Sequence, residues 1–146
     1  MKVRSFVLIA GLLFVLIGAA AFVPGLVTLH VSVTHHLTIE QNSGDLFDIF
    51  AVNVVHNIVH IAFGAWGILA SRNIDAAVLY ARSVAIIYTI FVFMGLVPQL
   101  STAFGVAPLH GNDVWLHALL AAGAAYFGFV RHGEVEPANR PAARGT

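Results

Sequence analysis

The chain has 146 residues, of which 59% are hydrophobic and only 10% charged, against about 25% charged in ordinary soluble domains; this is the composition of a membrane protein. Seven Lys and Arg balance seven Asp and Glu, so net charge gives no footing for nucleic acid or an acidic substrate. Cysteine is absent, which excludes disulfides, thiolate metal sites and cysteine nucleophiles, and eight histidines are the unusual feature.

Residues 5–23 are uncharged. At a rise of about 1.5 Å per residue they come close to crossing a hydrocarbon core of about 30 Å, and Pro24-Gly25 ends this first span. The start, Met1-Lys-Val-Arg4 before an apolar run and Gly18-Ala-Ala-Ala-Phe22, also has the form of a secretory signal peptide. Its apolar run exceeds the usual roughly 7–15 residues of such a peptide, so it is read as a retained span.

Residues 27–34 alternate apolar and polar for eight positions, which predicts a half-buried strand, and residues 37–40 continue the pattern after His35-His36. Together they predict a short β-hairpin across the mouth of the bundle. Residues 42–45 form a turn, and Asp45 and Asp48 have N-cap and N3 spacing, which predicts a second helix starting before Phe50.

Three further apolar segments follow, at about 50–71, 76–97 and 113–130, closed by Arg72, Pro98 and Arg131. In a bilayer the backbone polar groups of such segments must bond internally, which makes them helices. The expected fold is all-α, a transmembrane four-helix bundle in one membrane domain over residues 1–132. The polar tail 133–146, with Pro137 and Pro141, is expected to be disordered.

Basic residues orient the spans. Lys2 and Arg4 precede the first, Arg72 separates the second from the third, and Arg131, Arg140 and Arg144 follow the fourth, while residues 24–49 and 98–112 contain no Lys or Arg. The positive-inside rule then puts both termini in the cytoplasm and the two longer loops outside. Arg82, the one basic residue within a span, is expected to snorkel to the inner interface.

The second span carries its polar residues on one stripe. Asn53, Asn57, His60, Gly64, Gly67 and Ser71 advance by alternating steps of four and three, the seam of a helix packed on neighbours, with His56 one turn from both Asn53 and His60. In the fourth span Asp113, His117, Ala121, Ala124 and Gly128 make a matching stripe. Both stripes are polar at the outer end, so His56 and His60 are expected to face Asp113 and His117 in the outer half of the bundle. His30, His35, His36 and His110 also fall on the outer side, and only His132 on the inner.

Three readings of this group stand open. The polar side chains hold the helices in register by hydrogen bonds between them. Alternatively His56, His60 and His117 ligate a Zn²⁺ or Cu²⁺ ion, with Asp113 completing or orienting the set and Asn53 and Asn57 supporting it, or a histidine from each helix ligates a b-type haem. Alternatively the histidines relay or sense protons beside Asp113. No serine triad, phosphate loop or Rossmann fingerprint supports a conventional enzyme.

Residues 11–26, 50–70 and 109–129 carry a family resemblance, strongest in Val52-Asn-Val-Val-His-Asn-Ile-Val-His60 and Asn112-Asp-Val-Trp-Leu-His117. They resemble an uncharacterised bacterial membrane family, domain of unknown function 4383, over roughly residues 7–129. The resemblance implies a small four-span protein and no particular function; the expected location is a bacterial cytoplasmic (inner) membrane, with the lipid bilayer as partner. A looser similarity in topology to DoxX-like four-span proteins, some linked to redox complexes, adds weight to the metal or haem reading and to a membrane-complex partner; homo-oligomerisation stays open.

Overall fold

A computed structural model describes residues 2–29 and 37–130. His30, His35, His36, His132, the remainder of the first predicted strand and the polar tail lie outside these residues.

Among the described residues four helices carry the fold: α1 (Val3–Ala20), α2 (Val54–Ala70), α3 (Ile74–Leu96) and α4 (Asn112–Ala125), the last continuing as a π-helical turn over Tyr126–Val130. Three stretches, Val3–Ala20, Ile74–Leu96 and Asn112–Val130, are long and apolar enough to cross a membrane, and α2 is a shorter apolar helix of 17 residues, about 26 Å long. The all-α expectation needs one correction. Three short strands, β1 (Val27–Leu29), β2 (Gly44–Leu46) and β3 (Phe50–Val52), form an antiparallel sheet in the order β1-β2-β3 between α1 and α2.

The predicted hairpin pairs with a different partner. β1 aligns Val27 with Leu46 and Thr28 with Asp45, rather than pairing with residues 37–40. Those residues run instead toward the loop between α3 and α4, where the Thr38 amide donates to the Gly105 carbonyl at 2.7 Å. The predicted early start of α2 is also corrected. Asp45 lies within β2, and Phe47 and Asp48 both take left-handed backbone angles, φ 55° and 58°, which a right-handed helix start does not allow. The Thr28 hydroxyl donates to Asp48 in this turn, and the helix begins only after Asn53.

The helices pack chiefly as two pairs, α1 on α2 and α3 on α4, joined by smaller contacts of α1 and α2 with α3. Glycines set the first pair. A methyl group on Gly64 would sit 2.6 Å from the Val15 amide and 2.7 Å from the Gly11 carbonyl, so the two backbones touch at that crossing. All six seam residues of α2 are buried, and so are all five of α4, while Leu12, Leu16, Ile58, Leu69, Leu79 and Leu119 turn outward. Apolar side chains on the outside and small or polar ones on the inside are what a lipid solvent selects.

The core runs along the middle of the bundle, from Val3 and Val7 through Phe14, Tyr80, Ala81 and Tyr88 to Ala121 and Ala124. A second, smaller cluster of Ala21, Leu46 and Val52 seats the sheet on the end of α1. The opposite end is basic, carrying Lys2, Arg4 and Arg72. Arg82 bonds within the bundle: its Nε donates to the Gly128 carbonyl at 2.9 Å, and its guanidinium lies 5.2 Å from the centre of the Phe129 ring. The bond reaches the π-helical turn.

Candidate functional site

The site is built from the junction of β3 and α2. Asn53 is extended, φ −147° and ψ 178°, so the chain passes from strand to helix in one residue. Its Oδ1 accepts the His56 amide at 2.9 Å and caps α2. Its Nδ2 donates to the carbonyls of Ile39, at 2.9 Å, and Val106, at 2.7 Å. One side chain thus fastens both loops of the sheet end to the start of α2.

One turn in, His56 Nδ1 lies 3.1 Å from the Pro108 carbonyl. A carbonyl can only accept, so Nδ1 carries the hydrogen and Nε2 is the ring nitrogen left for another partner. His60 follows a turn deeper, its ring centre 4.5 Å from that of His56 and 5.5 Å from that of Phe14, on which it stacks. From the other helical pair comes His117, 6.3 Å from His56 and flanked by Tyr88 at 5.0 Å and Phe91 at 5.7 Å. The three histidines are buried, and all of them line one cavity of about 170 Å³ between α2, α3 and α4, lined also by Ala103, Val106, Ala107 and Leu109 of the loop before α4. Its other walls are apolar or aromatic, and no carboxylate among the described residues lines it.

Several polar atoms here are left over. Nδ1 of His60, Nδ1 of His117, both amide atoms of Asn57 and Oδ2 of Asp113 are buried with no hydrogen-bond partner among the described residues. A bundle that used these side chains only to fix register would pair them across the helices, because an unpartnered polar group away from water costs about 1–3 kcal/mol.

The predicted site residues therefore divide. His56, His60 and His117 come together around the cavity. Asp113 stands apart, accepting a hydrogen bond from the Ala51 backbone in β3, with the Asp45 carboxylate as its charged neighbour. It does not cap α4 either: Gly111 precedes that helix with no side-chain cap, and Asn112 donates to the Ile49 carbonyl at 3.1 Å. Asn57 is buried beside α1, where a methyl group on Gly18 would come within 2.7 Å of the Asn57 carbonyl.

Among the described residues no group of three or more His, Cys, Asp or Glu is arranged to hold a metal ion. A haem does not fit the cavity, which is smaller than the roughly 300–1,000 Å³ of sites for drug-sized ligands. Sequence reasoning missed the wall supplied by Tyr88, Phe91 and Leu109. Tyr88 is almost wholly buried, at 1% exposure. Its one legible signal is the eight-residue step from Tyr80, which places both tyrosines on one face of α3.

Helices of this length and hydropathy, two of them meeting at a histidine-lined cavity, are those of a helical membrane protein. The chain belongs to the family described as domain of unknown function (DUF4383), whose pattern it matches over residues 4–130. No curated protein and no solved structure matches it.

Proposed function

We propose that this is a four-span binding protein of a bacterial cytoplasmic membrane, both termini cytoplasmic. Its cavity beside His56, His60 and His117 takes a small organic ligand at the outer side. The observation that carries this reading is the cavity itself, lined by three buried histidines that come from two helical pairs. The ligand is smaller than a drug-sized molecule, mostly apolar to suit Tyr88, Phe91 and Leu109, and carries one or two hydrogen-bonding atoms for the imidazoles. The orientation rests on the distribution of Lys and Arg.

Register is a second role, favoured for two residues by specific bonds. Asn53 and His56 hold the loops of the sheet end in place. Placement of a metal ion there would require the rings to move and would leave it without an anionic ligand from the cavity wall. Native mass spectrometry of gently solubilised protein, with elemental analysis beside it, tests the reading: a bound organic species, lost in His60→Leu/His117→Leu, is expected. A stoichiometric metal in its place would overturn the organic assignment.

A further inference from the structure

The basic end of the bundle holds a second cleft, remote from the histidines. Lys2, Arg4, Ser5 and Leu8 of the α1 end meet Ser71 and Arg72 of the turn between α2 and α3 around an open volume of about 310 Å³. Among the described residues, three of the six that line it are cations and none is a carboxylate. Arg4 is held in place: its Nε donates to the Ser71 carbonyl at 2.7 Å, at the end of α2 where the helix dipole favours a cation. That bond uses one of the five guanidinium N–H donors and leaves the fork for an anion. Leu8 lines the cleft one turn along α1 from Arg4 and is 39% exposed.

We infer that this cleft binds a phosphate group, and that its source is the headgroup of an anionic lipid in the adjoining leaflet. Three cations gathered at a helix end suit a phosphodiester, which accepts from Arg in a forked pair. Leu8, exposed one turn below Arg4, offers the apolar surface that an acyl chain would cover and that free phosphate would not use. Cationic pockets between helices at a membrane surface are where such headgroups settle. The cleft would then anchor the α1–α2 pair at a fixed depth.

The test uses the full chain in phosphatidylcholine nanodiscs doped with phosphatidylglycerol, with lipid retention read by native mass spectrometry. Wild type should keep phosphatidylglycerol in preference to phosphatidylcholine. Lys2→Gln/Arg72→Gln alters two exposed side chains and should weaken that preference by about thirty-fold, roughly a factor of five for each interfacial cation. Arg140→Gln/Arg144→Gln, the same change of charge in the tail, should leave it unchanged. Arg4→Lys keeps the charge but loses the fork, and should give an intermediate loss. Inorganic phosphate added to undoped discs should not bind. Binding of inorganic phosphate with no preference for phosphatidylglycerol would overturn the lipid assignment, and equal retention by wild type and Lys2→Gln/Arg72→Gln would overturn the site itself.

Discussion

His56 in α2 and His117 in α4 hold their rings 22° from parallel with centres 6.3 Å apart. They bridge two helical pairs at a place where the chain packs loosely enough to leave a cavity. His56 has a fixed partner in Pro108, whereas His117 Nδ1 has none. That asymmetry separates a histidine bonded into the fold from one that is not.

His60→Leu and His117→Leu should change the melting temperature of detergent-purified protein little or raise it, by up to about 1 kcal/mol in stability, because each removes a buried nitrogen that has no partner. His56→Leu should cost about 1–3 kcal/mol, since it strands the Pro108 carbonyl. Equal destabilisation by all three would mean that all three serve register alone.

Asn53→Ala removes a helix cap and two bonds to loop carbonyls at once. A loss of about 2–4 kcal/mol is expected. Hydrogen exchange should quicken in residues 37–42 and 103–109 together, because one amide nitrogen holds both segments.

Gly64→Ala should destabilise strongly, by about 1–3 kcal/mol, because the new methyl meets the Val15 and Gly11 backbones. At Gly123 the nearest atoms belong to the Phe6 ring at 3.4 Å, so Gly123→Ala should be tolerated or should stabilise α4 by up to about 1 kcal/mol. Thermal unfolding of the two variants side by side is the check.

The absence of cysteine makes topology direct to measure. Gln99 and Arg72 are both exposed, at opposite ends of the bundle. In intact cells an impermeant maleimide should label Gln99→Cys, and should reach Arg72→Cys only after permeabilisation. The reverse pattern would invert the orientation given by the basic residues.

The stripes of α2 and α4 were legible because small and polar residues in steps of three and four stand out against a lipid-facing background. The burial of Asn53, Asn57, His60, Asp113 and His117 follows that reading. The sheet was legible only at its first strand. Strands of three residues leave almost no alternation to read, and Asp45 and Asp48 in a tight turn have the same spacing as a helix cap and its partner. The tyrosine and phenylalanine of the cavity wall were hidden because an aromatic residue in a span has the same composition signal whether it faces lipid or a cavity. Asp113 was assigned to His117 by helical spacing, and β3, which the sequence does not announce, draws it away.

On the proposed function, the imidazoles of His60 and His117 meet a bound organic molecule. Histidine-selective ¹⁵N spectra of the full chain, taken as gently solubilised and again after exhaustive delipidation, read those ring nitrogens one by one once assigned with His60→Leu and His117→Leu. Shifts confined to His56, His60 and His117, matched by loss of a small organic species from the mass spectrum, are the predicted result. Ring signals that stay unchanged through delipidation, with no species lost, would contradict it.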